Sequence, residues 1–305
     1  MGNKNRIRMT AIVITLLLTS MSLLLLPQKA SGELFVGHNS TYQSIQDALD
    51  DAAPGEVIVL EGGEYNENLT VNTRGVLIKC NSTDPANITG SNVRITIDNV
   101  TIENIDLISC RIHVSGNDTS FSNVTFDHSR ETALSIRDSI GTTISECTFL
   151  NSDSTSVEAI NCDSLTIFES IFLGPKRGLN FTGGRTLTIE NSTFAVNESQ
   201  GINVVGSNDI EIVNSVFSQS GSDGTLMAPM ASFDMKDTCI HLERSNSIEF
   251  RDVIIQMEKD RSKGISAIDC DMISVNQTLV DIESNNTRGV DFLRSDNVTL
   301  KNSEF

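Results

Sequence analysis

The feature that most constrains this 305-residue chain is a repeat of about 23 residues that closes, unit after unit, on an apolar side chain. The closing position falls at Leu107, Phe126, Phe149, Phe172, Phe194, Phe217, Ile255, Val280 and Phe305. Three residues earlier stands a polar residue: Asn104, Asn123, Glu146, Glu169, Asn191, Asn214, Asp252, Gln277 and Asn302. Units this short cannot bury an apolar side alone, so they must stack and share one core.

Inside each unit the hydrophobic period is two. Leu187-Thr188-Ile189 and Ile210-Glu211-Ile212 read as short strands with one buried face. Asparagine then tolerates left-handed backbone and turns the chain, which makes Asn104, Asn123, Asn191, Asn214 and Asn302 a turn ladder. A second strand carries the core ladder Phe126, Phe149, Phe172, Phe194, Phe217 and Phe305 to the inside. A third, earlier strand recurs at 178–181, 201–204, 239–242, 264–267 and 289–292. Three short strands per unit predict an all-β, right-handed parallel β-helix. Leucine-rich repeats would need a helical segment, and propeller blades need about forty residues.

The segment Tyr42-Gln43-Ser44-Ile45-Gln46-Asp47-Ala48-Leu49 and the later Gly63-Glu64-Tyr65-Asn66-Glu67 resemble the N-terminal cap and first coil of pectate-lyase-like proteins. More narrowly, the chain is similar to the β-helix surface proteins of methanogenic archaea and to a periplasmic copper-binding β-helix domain type. The resemblance spans residues from about 41 to 305 and speaks to fold more than to activity. Ile45, Ala48, Leu49 and Ala52 share one face of a helix expected over 41–53, placed to cover the open end of the stack. The last unit stops on Phe305, so the expectation is a stack interrupted before its end, or one that continues end to end onto further coils or another domain.

Residues 1–32 read as an export signal: Lys4, Arg6 and Arg8, an apolar run over 11–26, then Ala30-Ser31-Gly32. That leaves a single domain over 33–305, expected to be secreted or displayed at the cell surface, with no membrane span once the signal is cleaved. The net charge of −18 excludes nucleic acid as a partner and argues against acidic polysaccharides unless a cation such as calcium bridges the two. Sequons at Asn39, Asn68, Asn81, Asn87, Asn117, Asn180, Asn197 and Asn285 are possible glycosylation sites, though a chain this rich in Asn and Thr creates such triplets by chance. The six cysteines show no metal spacing, and buried free thiols are as compatible with the register as disulfides.

No catalytic set of the resembled enzymes is present. The lyases' paired-arginine loop and the hydrolases' Gly-His-Gly turn are missing, and the esterase-like Gly63-to-Glu67 segment lacks the later blocks. Asp98, Asp118, Asp138 and Asp163 recur before successive strands, where closing turns onto their own backbone is the simplest role. His113 and His128 stand alone. The one irregularity is an insertion over 221–237. It offers Asp223, Asp234 and Asp237 as candidate ligand-binding or calcium-binding acids. It also offers Met227, Met230 and Met235, with Cys239 and His241 beyond, as a candidate Cu(I) set, against the plainer reading of methionine as packing in an irregular loop. The expected function is a surface scaffold or adhesion module engaging polysaccharide or cell-envelope proteins. The alternatives are a polysaccharide lyase or hydrolase with its site near the insertion, and periplasmic metal binding.

Overall fold

Period-two strands with one apolar face can satisfy both backbone and core only by pairing with the unit above and the unit below. The computed structural model describes residues 32–196, 200–219, 238–258, 262–283 and 287–305. The signal segment, apart from Gly32, and the 221–237 insertion lie outside them, as do Asn197 and Asn285. The described chain runs round three parallel sheets in turn. Sheet 1 has twelve strands, from Glu33–Val36 to Asp296–Lys301. Sheet 2 has ten, from Gly63–Tyr65 to Leu279–Ile282, and sheet 3 ten, from Leu69–Val71 to Arg288–Leu293. Each unit is one coil of a parallel β-helix, and every strand pairs in parallel with its counterpart one coil away.

The inward column of sheet 2 keeps strict register from Leu107 through Phe126, Phe149, Phe172, Phe194 and Phe217 to Ile255 and Val280. Parallel strands lie about 4.8 Å apart, which is also a good distance for stacked rings. Phe126, Phe149, Phe172, Phe194 and Phe217 accordingly form a continuous pile, with centroids 4.2 to 4.9 Å apart and planes within 8°. The pile explains the glycines at the start of sheet 3 strands. A Cβ on Gly178 would lie 2.6 Å from the Phe194 ring, and one on Gly201 would lie 3.1 Å from Phe217. Phe305 departs from the expected core ladder. It falls beside Val280 through the Leu279–Glu304 bridge, yet is 43% exposed, with no coil among the described residues stacked over it.

From Asn104 onward the corner between sheets 1 and 2 is left-handed in every coil, whatever the residue. Asn104, Asn123, Asn191, Asn214 and Asn302 have φ of 56°, 51°, 51°, 47° and 50°, and Glu146 and Glu169 share the geometry at 54° and 47°. The turn needs this conformation, and asparagine only lowers its cost. Asn123 Nδ2 also donates to Asn104 Oδ1 of the coil before (2.8 Å).

At the first coil the helix Ile45–Asp51 buries Ile45, Ala48 and Leu49 against the stack, capped by Ser44. Its first turn is held from the next coil. Glu67 accepts from Ser44 Oγ (2.7 Å), Ile45 N (2.8 Å) and Gln46 N (3.0 Å), while Tyr65 OH donates to Glu61 O (2.9 Å). The esterase-like segment is therefore a structural clasp for the cap. All six cysteines are buried free thiols.

Candidate functional site

The inward faces of the three sheets are alike, and their outward faces are not. Sheet 2 exposes apolar side chains, with Ile171, Leu173, Ile254 and Leu279 between 38% and 41% accessible. Sheet 1 presents hydroxyls and acids. Its shallow groove of about 370 Å³ is lined by Thr186, Thr188, Asp209, Glu211 and Glu249 among others. Arg251, the base beside them, is already paired with Glu211 at 2.7 Å. Sheet 3 alone carries basic, acidic, amide and imidazole groups together.

Strand register builds that face. The central outward column of sheet 3 runs Arg94, His113, Ser135, Glu158, Asn180, Asn203, His241, Ser266, Asp291, one residue per coil. A flanking column near the strand starts places Arg111 beside Asn92, Arg177 beside Thr155, and Lys263 between Thr238 and Arg288. The chain positions are 19 to 38 residues apart, so this array exists only because the coils stack.

Two regions stand out. Toward the first coils a pocket of about 200 Å³ is lined by Arg94, Thr96, His113, Val114, Ser115, Ser135 and Arg137. Burial, followed by the nearby charges of Arg111, Arg94 and Arg137, lowers the His113 pKa below the usual imidazole value. Further along, Asn203 Nδ2 donates to Asn180 Oδ1 (2.7 Å) and Lys263 pairs with Asp291. His241 is only 4% exposed, although it occupies an outward position. Its Nδ1 has no hydrogen-bond partner among the described residues, and its Nε2 lies 3.9 Å from Glu243 Oε2. Burial lowers its pKa, with Glu243 opposing, so the ring is neutral near pH 7. Arg177 Nε is likewise buried without a partner, and burial lowers the guanidinium's pKa against the pull of Glu158.

The candidate residues read from the sequence fall variously. Asp223, Asp234, Asp237, Met227, Met230 and Met235 lie outside the described residues. By chain connectivity their segment joins the sheet 2 strand Val216–Gln219 to the sheet 3 strand Thr238–Glu243. Cys239 is packed at that corner with Sγ 3.8 Å from Gln219 Oε1, and burial pushes its thiol up to about 12. Among the described residues no group of three or more His, Cys, Asp or Glu side chains is placed to hold a metal ion. The recurring aspartates do not share one role. Asp118 and Asp138 take left-handed turn positions, but Asp98 Oδ1 accepts from Asn117 N of the next coil (2.9 Å) and Asp163 binds Arg185 at 2.6 Å. His128 contacts its neighbour Asp127 at 2.7 Å. Of the sequons, Asn39, Asn68 and Asn81 are exposed, whereas Asn87, Asn117 and Asn180 are half-buried. Asn117 Oδ1 holds Ile140 N at 2.9 Å, and Asn180 holds Asn203.

Three parallel sheets on a repeat of about 23 residues define a parallel β-helix. The chain belongs to the family described as right handed beta helix region, whose model matches residues 62–232. No curated protein matches the sequence significantly. Among solved structures it is similar to the A-module of the Azotobacter vinelandii mannuronan C-5 epimerase AlgE6, with 11% identity and a TM-score of 0.52. That match covers 85% of this chain and 92% of the module. It is also similar to the full-length tailspike protein 2 of Escherichia coli O157:H7 bacteriophage CAB120, with 12% identity and a TM-score of 0.53. Here the match covers 84% of this chain and 39% of the tailspike. At these identities the likeness is one of fold.

Proposed function

We propose that the protein is an extracytoplasmic carbohydrate-binding β-helix, a scaffold or adhesion module whose binding face is the outer surface of sheet 3. The observation that carries this reading is the column from Arg94 to Asp291: nine consecutive coils, each placing one polar side chain at the outward register, with Ser135, His241 and Ser266 the buried members. Coils about 4.8 Å apart set those groups in an extended line, suited to a polymer that is itself repetitive and rich in hydroxyls. The architecture shared with a mannuronan epimerase module agrees with the reading. An export signal over 1–32 would deliver the chain to where such polymers lie. Among the described residues no helix is long and apolar enough to cross a membrane.

A second reading, a polysaccharide-cleaving enzyme, is favoured by one feature. A buried neutral imidazole, His241, stands on the same face as Arg177 and Lys263, and both cations contribute to holding it neutral. That is a setting in which a base can work near neutral pH.

One experiment separates the two. The purified protein is incubated with labelled polysaccharides, with and without calcium, and run on a sizing column. Co-elution of intact polymer is the expected result. Shortened polymer moves the assignment to an enzyme, and intact polymer eluting apart from the protein across the panel overturns carbohydrate binding.

A further inference from the structure

The pocket near the start of sheet 3 has a charge that composition does not predict. The chain carries −18 overall, yet this recess is lined by Arg94, His113 and Arg137 and by no carboxylate. The nearby acids are already engaged from outside it. Glu158 holds Arg137 at 2.7 Å and Glu131 holds Arg111 at 2.7 Å. The guanidinium of Arg94 makes no ion pair or hydrogen bond among the described residues. Three guanidinium groups act on the His113 ring, whereas Glu131 is the one acid that does. Converging like charges in a recess are repulsive, and an anion relieves them.

The donor set also discriminates between anions. Besides two guanidinium groups and an imidazole, the lining offers the hydroxyls of Thr96, Ser115 and Ser135. The lining thus holds more donor groups than the roughly four acceptor sites on a carboxylate's two coplanar oxygens can use. A sulfate or phosphate group has oxygens pointing toward a tetrahedron's corners and takes charge-assisted bonds from such a ring. Hard-cation binding needs oxygen acceptors with negative charge, which this lining lacks.

We propose that the Arg94–His113–Arg137 pocket binds a tetrahedral oxyanion, a sulfate or phosphate ester, carried on the glycan that lies along sheet 3. The proposal rests on the reading of sheet 3 as a carbohydrate face. Arg94 is the free donor that grips the group, Arg137 is shared with Glu158, and the hydroxyls complete the shell. A local positive pocket on a negative protein admits an anionic substituent at one register of the polymer and repels anionic charge elsewhere.

The test titrates full-length protein with dextran sulfate, a phosphomannan, a polyuronate and neutral dextran, and separately with inorganic sulfate and phosphate. The variants are Arg94→Gln and Arg94→Lys, and melting temperature serves as the folding check. The expected result is preference for a sulfated or phosphorylated polymer over the polyuronate and neutral dextran. Arg94→Gln should lose about ten- to a hundredfold in affinity, the worth of a charge-assisted hydrogen bond, Arg94→Lys should recover part of it, and added salt should weaken binding. The sulfated and phosphorylated arms tell the two esters apart. Glycan binding that ignores Arg94, or a polyuronate bound as well as the esters, overturns the pocket and leaves the carbohydrate face standing. Arg94-dependent binding of inorganic sulfate or phosphate with no glycan bound overturns the carbohydrate face and leaves an oxyanion site. No binding of any probe overturns both.

Discussion

The two faces of sheet 3 are written by the same strands and obey different rules. Inward, Ile112, Leu134, Val157, Leu179, Ile202, Ile240 and Ile265 repeat one kind of side chain, all fully buried. Outward, the neighbouring position changes at almost every coil, from Arg94 through His113, Glu158 and Asn180 to His241 and Asp291. The core admits few alternatives because a close-packed stack punishes any change of volume. The outside is free of that demand, so its variation is where specificity can be stored. Substitutions should therefore separate cleanly into those that cost stability and those that cost binding.

The largest expected effect is inside. Phe172 is fully buried between Phe149 and Phe194, and Phe172→Ala should cost about 3–5 kcal/mol in a denaturant melt. A neutral result would mean that the pile is not what holds the coils.

Next come the buried thiols. Burial pushes the Cys147 and Cys239 thiols up to about 12 from an ordinary 9.0. The folded state thus keeps them neutral where the unfolded chain ionises. Their contribution is intact below pH 9 and is lost progressively as pH rises from 9 toward 12. Stability should fall across that window, and neither thiol should react with a thiol reagent at pH 8 until the chain is denatured. Rapid native labelling of either would contradict the packing.

The corner gives a smaller effect. Asn123→Ala puts an ordinary side chain at φ 51° and removes the bond to Asn104, for a loss of about 1–2 kcal/mol. Asn123→Gly should lose less, because glycine adopts that backbone freely. Equal losses from both would shift the weight from backbone conformation to the side-chain bond.

Outside, the effect on stability should nearly vanish. Arg94→Gln should change unfolding free energy by less than about 0.5 kcal/mol while weakening glycan binding.

The inward half of this contrast was legible in the chain. A stack requires the same position to be apolar in each unit, so the ladder from Leu107 to Val280 announces itself by spacing, as does the left-handed corner at Asn123 and Asn191. The outward half was not legible. Arg94, His113 and Arg137 share no motif, and their meeting depends on strand register and on which way each side chain leaves the sheet. His113 looked solitary because its partners sit on other coils. Net charge misled for a related reason, since a chain at −18 can still gather two guanidinium groups and an imidazole in one recess. Glu67 shows the same limit, because a motif shared with esterases acquired its role only when the helix Ile45–Asp51 was seen resting on it.

The central claim, that sheet 3 is the face that binds, is tested most directly by placing the same bulk on two faces. Asn180→Trp obstructs the middle of the sheet 3 column, and Thr188→Trp does the same on sheet 1 in the same coil. Each variant is run with the labelled polysaccharide panel on the sizing column. The account predicts that Asn180→Trp abolishes co-elution and that Thr188→Trp binds like the unaltered protein. Loss on sheet 1 with binding retained on sheet 3, or no loss on either, would contradict it.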